Sequence, residues 1–158
     1  MTKIELLDLI QATHADLLNL LGSLNEGQLT RAYVEGYWTV KDVVAHLAFW
    51  EQTVADELKL FASGAPPPPI PSERIQAINE ENFQRNRLKP MAEIRADLDR
   101  SMRAMIDSVS ALSEEALAGP CTWADGGPVG NNPAEEMEHW QNHMAAIQEW
   151  LAESEANR

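Results

Sequence analysis

WTVKDVVAHLAFWE (residues 38–51) and EHWQNHMAAIQEW (residues 138–150) decide how the rest of the chain is read. Apolar residues at three-four spacing run through each stretch and past its ends: Val40, Val43, Val44, Leu47, Val54, Leu58 and Phe61 on the first, Met137, Trp140, Met144, Ile147 and Leu151 on the second. That spacing predicts two amphipathic helices. They carry three of the four histidines, His46 on one and His139 and His143 on the other. Four residues apart on a helix, His139 and His143 project from one face, one turn above the other, where both rings reach a single ion. With His46 as third ligand the set would hold a divalent cation and leave a position open for water or substrate.

Working outward, Thr2-Lys3-Ile4-Glu5 has the form of a capping box and starts a first helix, with Ile4, Leu7, Ile10, His14, Leu17 and Leu21 on its apolar stripe and Gly22 as its stop. Residues 23–37 read as a connector with one helical turn near Leu24 to Leu29. Thr39-Val40-Lys41-Asp42 caps the second helix, which runs to about Ala62. The prolines of residues 64–71, GAPPPPIP, lack amide donors and clash with the preceding turn, so the segment cannot continue the helix and forms a stiff extended spacer. A polar, peripheral helix is expected over residues 72–87, with Ile75, Ile78 and Phe83 to bury. Pro90 opens the cleanest amphipathic helix of the chain, striped by Met91, Ile94, Leu98, Met102, Met105, Val109 and Leu112. A short turn follows at Ser113 to Ala116, then a loop over residues 119–131 holding Cys121, Trp123 and Asp125. Asn132-Pro133-Ala134-Glu135 starts the last long helix, which runs to about Ala152.

Four amphipathic helices without strand-like alternation predict an all-α, four-helix bundle occupying residues 1–158 as a single domain, with a long crossover between the second and third long helices. That crossover is long enough to break a simple up-down-up-down order. The position of the histidines depends on this order: parallel neighbours would place His46 and His139 at one height, whereas antiparallel ones need an offset of a turn or more.

Composition excludes several partners. With 25 acidic against 12 basic residues the net charge is -13, which repels a phosphate backbone, and no cluster of Lys and Arg stands out against it. Nucleic acid is not an expected partner. One cysteine forms no internal disulfide, the first residues lack the apolar run of a secretory signal, and no stretch is long enough to span a bilayer. A soluble, cytoplasmic protein without a membrane partner is expected.

Among the residues around the histidines, Glu136 and Glu138 lie within a turn of His139 and either could accept a proton or orient a ligand ring. Glu136 is preferred, as the one nearer the His143 side of the helix. His14 reads as a core or pocket-edge histidine, and it joins Trp50 and Trp140 as candidate substrate-pocket residues. Cys121 reads as a bystander thiol, and no glycine-rich phosphate loop or serine elbow is present.

At W-T-V-K-D-V-V-A-H-L-A-F-W-E and the late H-W-Q-N-H the chain resembles the DinB/YfiT-like superfamily. In the Asn-rich segment 79–86 and the S-x-L-S-E-E-A-L turn ending at Leu117 it is similar to the ClbS/DfsB-like branch. The likeness covers nearly the whole chain. It implies a homodimeric four-helix bundle, a zinc or nickel ion on His46, His139 and His143, and a small electrophilic substrate. The chemistry implied is S-transfer or isomerisation with a low-molecular-weight thiol, or hydrolysis. A metal-free small-molecule binding or self-resistance protein is the alternative that the branch implies. Two features depart from the pattern, the insert at residues 66–71 and Trp140 where the branch tends to have Tyr.

Overall fold

Thr2 accepts a hydrogen bond from the Glu5 amide while the Glu5 carboxylate takes the Thr2 amide, and from this reciprocal cap α1 runs over Lys3–Gly22. Asn25 and Gln28 repeat the device for the short α2, Glu26–Thr30, and Thr39 and Asp42 repeat it for α3, Val40–Ala62. Between α2 and α3 lies a hairpin that the sequence reading missed. Its strands β1, Tyr33–Glu35, and β2, Trp38–Thr39, pair antiparallel across a turn in which Gly36 takes φ 57°. Strands of three and two residues are too short to display a period of two, although Gly36 supplies the left-handed turn residue such a hairpin needs.

Past the extended proline segment come α4, Ser72–Asn86, α5, Met91–Ala111, α6, Glu114–Ala118, and α7, Asn131–Ala156. The computed structural model describes residues 1–124 and 126–156; Asp125, assigned above to the loop before α7, lies outside them. In that loop Cys121 is buried, and Trp123 stacks at a tilt on Phe61 with its ring centroid 5.2 Å away. Among the described residues no helix is long and apolar enough to cross a membrane.

Helices α1, α3, α5 and α7 form the bundle, and hydrogen bonds between them give its order. Ser101 on α5 meets Glu51 on α3, and further along Ser108 meets the Ala55 carbonyl, so these two neighbours run parallel. The chain achieves this through α4, which returns antiparallel to α3 on the outside, Asn79 against Trp50 and Asn82 against the Ala45 carbonyl. Helix α7 runs antiparallel to α3, with His139 at His46 and Asn132 at Glu57. Helix α1 runs antiparallel to α5, its Lys3 ammonium on the carbonyls of Ser110 and Leu112. The order is up, down, down, up, with the predicted crossover between the two parallel helices.

The α5 stripe is buried as read, from Met91 to Leu112. Met105 is fully buried, so its truncation to alanine should cost about 2–5 kcal/mol. Elsewhere the burial differs from the reading. Ile4 is 70% exposed, and the buried face of α1 passes instead through Leu6, Ile10, Thr13, His14, Leu17 and Leu21. In α4 the apolar Ile75, Ile78 and Phe83 are only half-buried, while Asn82 and Asn86 are the helix's buried residues. Polar groups, together with Phe83 packed against Tyr37 and Trp38, hold this helix to the bundle.

Candidate metal centre and the groove around it

His46 lies two turns into α3 and is buried, its ring centroid 5.0 Å from that of Trp38. Across from it, α7 presents His139 and His143 from one face, as the spacing requires. The Nε2 atoms of His46 and His139 are 2.9 Å apart, those of His139 and His143 3.0 Å, and one ring nitrogen from each of the three lies within 4.8 Å of the others. Antiparallel packing provides the offset that this convergence needs, because the last turns of α7 continue beyond the start of α3.

Carboxylates on the far sides of two rings decide which nitrogens carry protons. His143 Nδ1 donates to Glu35 Oε1 at 2.7 Å, and His139 Nδ1 faces both Glu136 oxygens at 3.3 and 3.4 Å. With Nδ1 protonated in each, both Nε2 atoms turn bare lone pairs toward the same point. Two neutral rings so arranged repel one another, whereas a cation between them satisfies both. His46 has no such partner: its Nδ1 is the only buried side-chain nitrogen or oxygen without a hydrogen bond among the described residues. Burial, reinforced by the neighbouring His139 and His143, beside which a proton on His46 is disfavoured, pushes its pKa down to about 3, so the ring is neutral near pH 7 and free to act as a ligand. Three neutral imidazoles fit a borderline-soft divalent ion such as zinc or nickel.

A groove of about 490 Å³ opens over the three rings, lined by Trp38, His46, Trp50, Ile75, Asn79, Glu136, His139 and His143. Trp50 is fixed by a 2.8 Å hydrogen bond from its Nε1 to Asn79 Oδ1, which ties α4 to α3 at the groove's edge. Glu136 is buried, its pKa raised by desolvation and, less strongly, by the Glu51 charge, while bonds from His139 and Trp140 oppose the rise.

Of the candidate residues, the three histidines, Glu136 and Trp50 meet at this groove, and two do not reach it. Trp140 is fully buried, because one residue beyond His139 turns it about 100° away from the histidine face and into the core. Its Nε1 donates to Glu136 Oε1 at 3.1 Å, so it contacts the site from behind. His14 is a core histidine: α1 packs across the bundle from the groove, and there His14 pairs with the fully buried Glu51 and lies 5.0 Å from the Trp140 ring. Glu136 serves His139 and not the more distant His143, whose Nδ1 is taken by Glu35; Glu138 is exposed. The sequence reading missed Glu35, which the short hairpin delivers, and Glu51, a carboxylate in the middle of an apolar stripe.

The model of the DinB superfamily matches residues 9–154. An uncharacterised Escherichia coli UTI89 protein superposes with a TM-score of 0.83 at 16% identity, covering 98% of this chain and 95% of its own. YfiT from Bacillus subtilis, described as a probable metal-dependent hydrolase with an unusual four-helix bundle topology, gives 0.72 at 21%, covering 93% and 84%. The colibactin self-resistance protein ClbS, solved with a double-stranded DNA, gives 0.74 at 17%, covering 94% and 96%. No curated protein sequence matches the chain. Identities this low establish a shared fold, and the described functions belong to those proteins.

Proposed function

The chain belongs to the DinB superfamily, and from that premise we propose that it is a metal-dependent enzyme acting on a small electrophilic molecule, by thiol S-transfer or by hydrolysis. The observation that carries this reading is the convergence of His46, His139 and His143 with two carboxylates behind them. These histidines would hold a divalent ion, zinc or nickel. Such an ion supplies Lewis acidity, lowering the pKa of a bound water or low-molecular-weight thiol toward neutrality.

The remaining work falls to the chain's own groups. Trp38, Trp50 and Ile75 give the groove apolar walls for the body of a substrate. Glu136, facing the groove with a raised pKa, accepts a proton from the nucleophile and passes it to the leaving group, while Trp140 keeps its carboxylate aimed. Glu35 holds His143 in one tautomer throughout.

Elemental analysis of protein purified without a histidine tag tests the metal, and two variants test the roles. His143→Ala should abolish both metal and turnover; Glu136→Gln should still load with metal when the ion is in excess, at an affinity lowered about tenfold, and slow turnover. Full activity in His143→Ala would overturn the reading. The tryptophan-walled groove would then serve a metal-free protein that sequesters a small molecule.

A further inference from the structure

Half of the basic side chains fall within residues 85–103: Arg85, Arg87, Lys89, Arg95, Arg100 and Arg103 are six of the chain's 12, against three acids in the same stretch. The expectation that no cluster of Lys and Arg interrupts the acidity is wrong here. They run over the end of α4, a turn and α5, and the fold brings three of them round one hollow. Arg85, Lys89 and Arg100 surround a hollow of about 250 Å³ between α3, α4 and α5, with Asn82 and Asn86 in its wall. It shares no lining residue with the histidine groove.

Ordinary partners do not account for these charges. Asp97, the one acid of the hollow, is shared by Lys89 at 3.1 Å and Arg100 at 2.9 Å, so the lining keeps two positive charges in excess. Arg85 has no hydrogen bond or ion pair among the described residues, although it sits in the last turn of α4, where a basic side chain usually serves the terminal carbonyls. The carbonyls just beyond that turn are already taken: the buried Lys41 ammonium donates to Arg87 O at 2.7 Å and to Lys89 O at 2.9 Å.

We propose that this hollow binds the phosphate monoester group of a small molecule. A phosphate monoester carries about -1.5 to -2 charges near pH 7, which matches the excess, whereas a carboxylate leaves one cation unbalanced. Guanidinium forks from α4 and α5 suit its several equivalent oxygens. The chain's net charge of -13 opposes a long polyanion such as duplex DNA, whereas a compact anion meets only the local positive excess of the hollow.

The test titrates inorganic phosphate, then glycerol phosphate, into the full chain at constant ionic strength set with chloride, following the side-chain resonances of Asn82, Asn86 and Arg85. Both should give saturable shifts, and Arg85→Gln and Arg100→Gln should each weaken binding about tenfold, the loss of one charge-assisted contact. Lys59→Gln, whose lysine pairs with Asp56 elsewhere on α3, should bind as the parent does. Both arginines are exposed, so unchanged melting of the variants separates loss of the site from loss of the fold. Shifts that chloride alone reproduces, that do not saturate, or that survive both arginine substitutions would overturn the proposal. So would a duplex oligonucleotide without terminal phosphates that binds more tightly than the monoester, which would assign the hollow to a nucleic-acid backbone.

Discussion

Replacing Glu35 with glutamine removes a charge from behind a proposed metal ligand while leaving the shape of the side chain almost intact. Glu35 Oε1 accepts from His143 Nδ1 at 2.7 Å in a half-buried setting, where the carboxylate both fixes the tautomer and raises the basicity of Nε2. Loss of such an outer carboxylate typically weakens metal binding about 10–100-fold. The short distance puts Glu35→Gln at the upper end, on the order of 2–3 kcal/mol. Glu136 stands 3.3 Å from His139 Nδ1 and shares its charge with Trp140, so Glu136→Gln belongs at the lower end, nearer tenfold. Competition for zinc against a chromophoric chelator near neutral pH measures both. Exposed Glu138 supplies the control: Glu138→Gln keeps the helix and should keep the affinity. If Glu35→Gln binds zinc as tightly as the parent, or no more weakly than Glu138→Gln, the hairpin carboxylate does not tune the site and the tautomer argument is wrong.

Three further outcomes follow from buried groups. In metal-free protein the His46 pKa of about 3 lies below the unfolded value near 6.5, so the unfolded chain takes the proton first and stability falls as pH drops from 6.5 toward 3. Urea unfolding should show about 3 kcal/mol lost between pH 7 and pH 4 from this ring, and His46→Leu should remove that part of the slope. Glu51→Ala, which strands His14 in the core, should cost about 3–5 kcal/mol. The double variant His14→Leu with Glu51→Leu should cost less than that single change, because Ser101 keeps the Leu98 carbonyl; additive losses would show the pair is uncoupled. Lys41→Met should cost about 1–3 kcal/mol and speed amide exchange at the end of α4, and unchanged exchange there would mean that the ammonium does not anchor it.

The bundle was legible because its evidence is periodic. Capping at Thr2 and Thr39 and the stripe from Met91 to Leu112 repeat a local rule often enough to be read without tertiary information. The histidine pair on α7 was legible for the same reason, since His139 and His143 answer to helical geometry alone. His46 needed the order of packing, which depends on a crossover that residue spacing does not specify. What escaped was non-periodic. Glu35 reaches the site through a single tight turn, and Trp140 looked like a pocket residue because its neighbour is one, although 100° of rotation puts it in the core. Asn82 and Asn86 were hidden by the rule that polar residues face water; here they fill the seam beneath α4. The basic hollow escaped because its members come from two helices and the turn between them.

That seam gives α4 a thermodynamic character unlike that of its neighbours. Its polar attachments are Tyr37 to Glu80, Trp50 to Asn79, Asn82 to the Ala45 carbonyl, and the Lys41 ammonium on the carbonyls just past its end, and beside them Phe83 packs edge-on to Tyr37 and stacks on Trp38. Water can replace each of these bonds, and lifting the helix uncovers only half-buried apolar side chains. Its detachment therefore has a small heat-capacity change and a shallow denaturant dependence, and it requires far less free energy than melting the bundle. One wall of the histidine groove, Ile75 and Asn79, is thus carried on a helix expected to detach without melting the bundle.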